Sequence, residues 1–264
     1  SFYVAGPLLS RFGECEVPLP GGCVIGSRPV DFHIQGFKAL GAEVTEKHGV
    51  VRATASRLRG TRIFMDPRLR SVGATVNIML ASVLAEGTTI IENASREPEV
   101  FACQEFLTRC GARIEGIGSA TVVIEGVRSL HPADARAIGD RMEAGTFLYA
   151  AAAAGGDITV EDCHPDHMEI ILDVLRRAGA GVTTGDNWIR LKALGRPLPV
   201  DIMTAPYPGF PTDLQPAHGV LAAVARGTTI VEETIFDARF NYTDELARMG
   251  AHIRIVDSAA IIKG

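Results

Sequence analysis

The sequence has 264 residues, of which 47% are hydrophobic and 22% charged, a composition typical of a folded globular chain and not of a disordered one. Its formal net charge of -5 argues against a general nucleic-acid-binding surface, so an anionic ligand would have to be held by local Arg or Lys clusters. No apolar run reaches the roughly 18–20 residues of a membrane span, and no secretory leader pattern is present, so we expect neither nucleic acid nor a membrane as a partner.

The cysteines bear on the redox setting and on metal binding. They contain no C-x-x-C pair and fit no zinc framework by spacing; they are Cys15, Cys23, Cys103, Cys110 and Cys163. An odd number of cysteines without a targeting segment favours a reducing, cytoplasmic setting. We therefore expect most of them to be small buried side chains, with one candidate for reactivity.

Internal repeats organise the chain. Four helical patterns end in a Gly-Ala pair, at intervals of 70, 68 and 71 residues; the glycines are Gly41, Gly111, Gly179 and Gly250. A second marker, Gly-Thr-Thr-Ile or a close variant, stands 24, 23 and 23 residues before the last three of them. Two markers in one register predict a repeat of about 70 residues.

One repeat can be taken in chain order. It contains a strand, an apolar helix, a β-branched strand, an amphipathic helix and two short strands, at residues 62–66, 71–85, 88–92, 99–110, 113–115 and 121–125. The predicted order is therefore β-α-β-α-β-β. The glycine after the amphipathic helix is the residue expected at a helix C-terminus.

The first helix of each repeat is apolar nearly all round, as residues 78–85, 147–154 and 220–225 illustrate. A helix without a polar face is buried on every side, which predicts helices inside and sheets outside, in an α/β fold made of repeats. Composition changes near residues 127–138, where we place a domain boundary. The predicted domains are residues 1–137 and 138–264.

The first candidate site is a glycine-rich segment at residues 19–32, in the strand-to-helix turn of the first repeat. Three glycines give a mobile and closely approachable backbone, as a lid loop requires. Arg28, five residues after Cys23, would lower the pKa of that thiol and offer a fork for phosphate. The alternative is a buried cysteine in a glycine-rich turn, and the residues alone favour neither.

A second candidate is Asp213, in a proline-containing segment that opens the apolar helix of the last repeat. Thr212 or Asp213 could simply cap this helix, and the polar residues Ser71 and Asp140 at equivalent helix starts favour that structural interpretation. A proline-stiffened approach would equally hold a carboxylate firmly for proton transfer. Both interpretations stay open at this point.

Two weaker motifs complete the survey. Basic residues at 67–70 precede the helix start at residues 71–73, a combination that suits an anion but also describes an ordinary basic loop. Residues 163–167, Cys-His-Pro-Asp-His, suggest a metal site. The equivalent turns of the other repeats have no matching ligand set, which argues against metal.

Six segments in this order resemble the UDP-N-acetylglucosamine enolpyruvyl transferases. They are LPGGCVIGSRPVD at residues 19–31, SVGAT at 71–75, LAEGTTIIEN at 84–93, REPE at 96–99, EAGTF at 143–147 and FPTD at 210–213. The glycine-cysteine loop distinguishes this family from the shikimate-pathway enolpyruvyl transferases, which share its fold. The resemblance covers residues 1–264. It implies an inside-out barrel of βαβαββ units in two domains of three units each, with buried helices and outer sheets.

The family resemblance also implies an activity. Such enzymes move the enolpyruvyl group of phosphoenolpyruvate to the 3'-hydroxyl of UDP-N-acetylglucosamine and release phosphate, in the first committed step of peptidoglycan synthesis. By resemblance, Cys23 is a lid cysteine that donates a proton and reacts with fosfomycin, and Asp213 receives the hydroxyl proton. The implied substrate-binding residues are Arg28, Pro29, Val30, Asp31, Phe32, Ser71, Val72, Gly73, Ile235 and Arg239. No metal or organic cofactor is implied.

Counting repeats sharpens the expectation. The 264 residues hold just under four units where the family has six, which predicts a portion of a protein of about 420 residues. Residues 1–137 would be the last two units of the lid-bearing domain and residues 138–264 the first two of the next. The family's N-terminal Lys-Asn pair and its C-terminal phosphate-gripping Asp and Arg have no counterpart here, so we expect little activity from this portion alone.

Two alternative functions are carried forward. One is an enolpyruvyl transferase that acts on shikimate phosphate, which the Cys23 loop disfavours. The other is a non-catalytic paralogue that binds nucleotide sugars.

Overall fold

A computed structural model describes residues 2–21, 30–66, 71–236 and 239–264. Contacts between residues divide the chain into two compact units, one holding the described residues up to Arg136 and the other those from Ala137 to Gly264. The assignment of residues 1–137 and 138–264 to particular repeats of two larger domains stays a prediction.

The first unit has four helices and two sheets among its described residues. The helices are α1 (Ala5–Phe12), α2 (Asp31–Ala39), α3 (Val72–Ser82) and α4 (Pro98–Arg109). The strands are β1 (Glu14–Pro18), β2 (Glu43–Lys47), β3 (Val50–Thr54), β4 (Arg62–Phe64), β5 (Thr88–Glu92), β6 (Arg113–Glu115) and β7 (Thr121–Glu125). One sheet has the order β1-β3-β2 and the other β4-β5-β7-β6, with only β4 and β5 parallel.

The second unit repeats this pattern. Its helices are α5 (Arg141–Ala154), α6 (Glu169–Arg177), α7 (Gln215–Ala223) and α8 (Asn241–Arg248). Its strands are β8 (Asp157–Glu161), β9 (Gly181–Thr184), β10 (Trp188–Lys192), β11 (Ile202–Met203), β12 (Thr228–Glu232), β13 (His252–Val256) and β14 (Ala259–Lys263). The sheet orders β8-β10-β9 and β11-β12-β14-β13 match those of the first unit. The predicted order β-α-β-α-β-β is confirmed by β4-α3-β5-α4-β6-β7 and again by β11-α7-β12-α8-β13-β14.

The Gly-Ala pairs end four helices in the same way. The glycines have φ angles of 93–98°, in the left-handed region that favours glycine. In each case the N–H of the following alanine donates to a carbonyl five residues earlier, as in Ala42 to Phe37 and Ala112 to Leu107. This is the Schellman arrangement, and its fourfold recurrence explains why the pair marks the repeat so regularly in sequence.

The helices lie against one face of each sheet. Along β1, β3, β5 and β7, buried residues alternate with less buried ones, so each strand turns one face toward the core. Helix α3 is buried around most of its circumference and packs against α1 and α2. The prediction of buried helices and outer sheets is confirmed for this helix.

Helices α5 and α7 are less fully buried than α3. Phe147 on α5 is 56% exposed and Val220 on α7 is 42% exposed. The two helices pack against each other, and α5 also packs against β8 and β10. These contacts leave one apolar stripe on each helix accessible in the part of the chain that the structure describes.

Each unit has its own hydrophobic cluster. The buried members of the first run from Phe2 to Ile124 and those of the second from Ala144 to Ile262. Among the helices of the described residues, none is long and apolar enough to span a membrane.

Candidate functional site

The predicted site residues fall into three groups. Cys23, Arg28 and Pro29 lie outside the described residues, as do Arg68 and Arg70. Val30, Asp31, Phe32, Ser71, Val72 and Gly73 belong to the first unit, and Asp213, Ile235 and Arg239 to the second.

In the first unit the starts of α2 and α3 meet. Val30 is buried at the N-cap position of α2, and Asp31 lies in its first turn. Ser71 caps α3, with its Oγ 3.2 Å from the Ala74 nitrogen. A Cβ added to Gly73 would lie 3.1 Å from His33 Nε2. The His33 imidazole therefore lies close to the N-terminus of α3.

His33 was not predicted to have a role. A buried Asn77 amide fixes its ring: Asn77 Nδ2 lies 3.0 Å from His33 Nδ1 and 2.9 Å from the Phe2 carbonyl oxygen. Asn77 Oδ1 accepts from the Gly6 nitrogen at 2.6 Å. Burial lowers the pKa of His33 to about 4, so the ring is neutral near pH 7. The sequence signal for this residue was its position directly after the predicted run 28–32.

In the second unit, Asp213 is not a helix cap. It lies in a 3-10 turn, Thr212–Leu214, before α7, whose N-cap residue is Leu214 without a side-chain hydrogen bond. By contrast, Asp140 caps α5 through bonds of 2.7 and 3.2 Å to the nitrogens of Met142 and Glu143. The capping interpretation therefore holds for Ser71 and Asp140 and fails for Asp213.

Asp213 is paired with Arg239 instead. Arg239 Nη2 donates to Asp213 Oδ1 at 2.6 Å; the arginine side chain is 14% exposed and the aspartate side chain 61% exposed. The guanidinium carbon also lies 5.5 Å from the centre of the Phe236 ring. The arrangement presents a carboxylate to solvent while its cation is sheltered, which suits a group that accepts a proton from a bound hydroxyl.

The buried carboxylate of Glu233, which was not predicted from the sequence, binds the segments on which this pair depends. Glu233 is 4% exposed, and its Oε1 accepts from Thr204 Oγ1 at 2.9 Å and from the nitrogens of Ile235 and Phe236 at 2.8 and 3.1 Å. Its Oε2 accepts from Thr212 Oγ1 at 2.8 Å. One buried acid thus binds the segment that carries Asp213 and the segment that carries Ile235.

The remaining candidates have a structural explanation. Cys163 Sγ donates to the Val160 carbonyl oxygen at 3.4 Å, and the rings of His164 and His167 lie 4.8 Å apart. Within the described ranges, no group of three or more His, Cys, Asp or Glu side chains could hold a metal ion.

The described cysteines are all free. Cys15, Cys110 and Cys163 are buried and Cys103 is intermediate, which confirms the expectation that most are small core residues. Burial raises the pKa of the Cys15, Cys103 and Cys163 thiols, so these three are poor nucleophiles near neutral pH.

Comparisons with known proteins identify the family of this chain. A family model described as EPSP synthase (3-phosphoshikimate 1-carboxyvinyltransferase) matches residues 1–264. The chain is 49% identical over 259 residues to UDP-N-acetylglucosamine 1-carboxyvinyltransferase 1 of Carboxydothermus hydrogenoformans, covering 98% of this chain and 61% of that protein. It is 51% identical over 266 residues to UDP-N-acetylglucosamine 1-carboxyvinyltransferase of Klebsiella pneumoniae, covering 100% and 63%. The chain therefore spans about three-fifths of the length of these curated relatives.

Solved structures share the fold. The enolpyruvyl transferase NikO from Streptomyces tendae superposes with a TM-score of 0.85 at 27% identity, covering 98% of this chain and 62% of that one. EPSP synthase from Acinetobacter baumannii gives a TM-score of 0.69 at 21% identity, covering 100% and 63%.

Proposed function

This chain belongs to the EPSP synthase (3-phosphoshikimate 1-carboxyvinyltransferase) family, and we propose that the protein it represents transfers the enolpyruvyl group of phosphoenolpyruvate to the 3'-hydroxyl of UDP-N-acetylglucosamine, releasing phosphate. The observation that carries this proposal is the identity of about half of all residues with two relatives named for that reaction, over 98% and 100% of the chain. Peptidoglycan synthesis, and with it cell shape and division, is the process such an enzyme would serve.

The acceptor is proposed to be the nucleotide sugar rather than shikimate 3-phosphate. The relatives named for the nucleotide sugar are 49% and 51% identical, whereas the EPSP synthase structure is 21% identical and supports the fold alone. The Gly-Gly-Cys segment that contains Cys23, which the resemblance assigns to the nucleotide-sugar enzymes, supports the same choice.

In the second unit, Asp213 is proposed to accept the proton of the sugar 3'-hydroxyl while the hydroxyl oxygen attacks C2 of phosphoenolpyruvate. The exposed carboxylate and its pairing with the sheltered Arg239 support this role, because the guanidinium holds the carboxylate group in place. Ile235, in the loop bound by Glu233, is proposed to line the sugar-nucleotide site.

Cys23, which lies outside the described residues, is proposed to give the proton that C3 of phosphoenolpyruvate gains as the tetrahedral intermediate forms. Loss of phosphate from C2 and of a proton from C3 then restores the double bond of the enolpyruvyl ether. Ser71, Val72 and Gly73 are proposed to hold the nucleotide phosphates, since they begin an 11-residue helix whose N-terminus favours anions. The run from Arg28 through Pro29, Val30 and Asp31 to Phe32 is proposed to hold the remainder of the nucleotide.

We propose a cytoplasmic setting, supported by the four free cysteines among the described residues. Phosphoenolpyruvate and the nucleotide sugar are the proposed small-molecule partners. Reaction of Cys23 with fosfomycin is part of the same proposal.

A substrate-exchange assay tests the reaction. In the complete protein encoded by the gene, phosphate release from phosphoenolpyruvate should require UDP-N-acetylglucosamine and should not occur with shikimate 3-phosphate. Release with shikimate 3-phosphate would favour the shikimate-type alternative. Tight binding of the nucleotide sugar without any turnover would favour the non-catalytic paralogue.

Labelling with fosfomycin tests the site assignment. Mass spectrometry of the treated protein should find the adduct on the peptide that contains Cys23, and Cys23→Ser should abolish it. Cys15 and Cys163, whose thiols have pKa values raised by burial, serve as internal controls. An adduct on Cys15 with Cys23 unmodified would overturn the assignment.

A further inference from the structure

We propose that Glu233 is a positioning residue that holds Asp213 and the Ile235–Phe236 backbone in fixed relation to each other. This inference rests on the proposed function, because that function gives Asp213 and Ile235 their roles. Nothing in the resemblance or in the names of the relatives assigns a role to Glu233.

Four hydrogen-bond donors meet at the Glu233 carboxylate. Glu233 directly follows β12 and is almost fully buried. Its two oxygens accept four hydrogen bonds of 2.8–3.1 Å, two from hydroxyls and two from backbone nitrogens. A buried carboxylate that receives this many donors is held rigidly in place. Its removal would leave four donors without their partner, at a cost that exceeds the value of any one bond.

These donors connect Glu233 to the candidate site. Thr212, which donates to Oε2, is bonded in sequence to Asp213, and Asp213 is paired with Arg239. Ile235 and Phe236, which donate to Oε1, form the loop whose phenyl ring lies beneath the Arg239 guanidinium. Glu233 therefore holds two segments in place. One carries Asp213, and the other carries Phe236, whose ring lies next to the guanidinium of Arg239. A shift of about 1 Å at such a point can cost about a hundredfold in rate.

The repeats differ at the position of Glu233. The residue after the equivalent strand is Asn93 in one repeat and Asp162 in another, both with left-handed backbones at φ 55° and 54°. Glu233 does not share that conformation, and its side chain turns inward instead. Short side chains with a left-handed backbone are an ordinary way to leave a strand, so the buried glutamate is a departure from the repeat.

Its partner Thr204 departs from the repeat as well. The Thr204 nitrogen donates to the Glu232 carbonyl oxygen at 2.9 Å, and the Met65 nitrogen makes the same bond to Glu92. Met65 is therefore the equivalent of Thr204 in the first unit, and it carries no hydroxyl. The polar cluster of Glu233 and two threonines occurs in the repeat that contains Asp213, and the repeat of Met65 and Asn93 lacks it.

Hydrogen–deuterium exchange of the 264-residue chain tests this assignment in four variants. Glu233→Ala should speed exchange about tenfold or more in peptides covering both residues 209–216 and residues 233–240. Thr212→Val, which removes one donor, should speed exchange in the first peptide and leave the second unchanged. Glu233→Gln, which retains an acceptor oxygen and a similar shape, should restore slow exchange. Glu232→Ala, at the neighbouring half-buried carboxylate, is the matched control and should resemble the wild type.

Binding of UDP-N-acetylglucosamine by calorimetry adds a functional readout. The Kd should rise about tenfold in Glu233→Ala and less than about threefold in Glu233→Gln and Glu232→Ala. Unchanged exchange around Asp213 in Glu233→Ala, or equal effects in Glu232→Ala, would overturn the proposal. If the complete wild-type protein does not bind the nucleotide sugar, the proposed function is weakened, while the exchange data still decide the positioning role. If Glu233→Ala fails to fold, the selective effect of Thr212→Val and the rescue by Glu233→Gln decide it.

Discussion

Arg239 Nη2 donates to Asp213 Oδ1 across 2.6 Å, although the two residues stand 26 positions apart in sequence. The arginine is largely buried and the aspartate largely exposed. Among the described residues no hydrogen bond is made to Asp213 Oδ2. The pair therefore offers one anchored oxygen and one oxygen available to a substrate hydroxyl.

Substitution of either partner should reduce transferase activity in the complete protein. Asp213→Ala should lower kcat by about 10²–10⁴, the usual contribution of a general base. Arg239→Lys keeps the charge and loses the planar fork, so we expect about a tenfold loss. Arg248→Ala is the matched control, because Arg248 on α8 makes an exposed pair with Glu245 that is worth little. Wild-type phosphate release by Asp213→Ala would contradict the role of this carboxylate.

The 264 residues alone should release little phosphate from phosphoenolpyruvate and UDP-N-acetylglucosamine. The chain covers 61% and 63% of its curated relatives, and the charged groups that the resemblance assigns to phosphate binding have no counterpart in it. Such groups supply much of the electrostatic stabilisation of the transition state. The check is a continuous phosphate assay on the purified chain, and steady turnover would refute this expectation.

Two buried threonines should respond in opposite ways to removal of the hydroxyl. Thr229 Oγ1 has no hydrogen-bond partner among the described residues, so Thr229→Val should raise the free energy of unfolding by about 1 kcal/mol. Thr204 Oγ1 donates to Glu233 and accepts from the Thr234 nitrogen at 2.9 Å. Thr204→Val should therefore lower it by about 1–3 kcal/mol. Urea unfolding of both variants measures the difference, and equal shifts of the same sign would contradict it.

His218 should make the second unit less stable in acid. Its ring lies in the core, where Nε2 donates to the Val200 carbonyl oxygen at 2.8 Å and Nδ1 lies 3.3 Å from the Tyr149 hydroxyl. Burial lowers the pKa of His218 to about 4. Between about pH 6.5 and pH 4 the unfolded chain therefore binds a proton that the folded chain does not, and stability falls by about 1.4 kcal/mol per pH unit.

Urea unfolding at several pH values checks this effect. The unfolding free energy of His218→Gln should depend less steeply on pH than that of the wild type between pH 6 and pH 4.5. Parallel pH dependence in the two proteins would exclude His218 as the cause.

The sequence predicted the repeat architecture because its markers act locally. Strands β5, β6 and β7 begin and end at the predicted residues. Runs of β-branched residues favour strands, and the glycines and polar turns that flank them define where those strands end. The helix predicted at residues 71–85 ends instead at Ser82. There the Ala85 nitrogen donates a hydrogen bond to the Ser82 carbonyl oxygen, which forms a turn. Helix ends are set by such local bonds, which composition does not reveal.

The site was harder to predict because its contacts are long-range. Arg239 was assigned only through a resemblance, and for Asp213 the residues alone favoured a helix cap over a catalytic role. The Glu233 cluster joins residues from three separate segments, at 204, 212 and 233–236, so no short window of sequence contains it. A signal was present: Asn93 and Asp162 stand where Glu233 stands, and aligning the repeats would have marked the glutamate as the exception.

Among the described residues, the buried members of the first hydrophobic cluster all belong to the first unit and those of the second cluster to the second unit. Cooperativity follows shared packing, so heating should give two calorimetric transitions where a single core would give one. Thr229→Val and Glu233→Ala should then displace the same transition, and a substitution at Asn77 the other. Free-energy changes measured in different halves should be additive, whereas those measured around Glu233 should not.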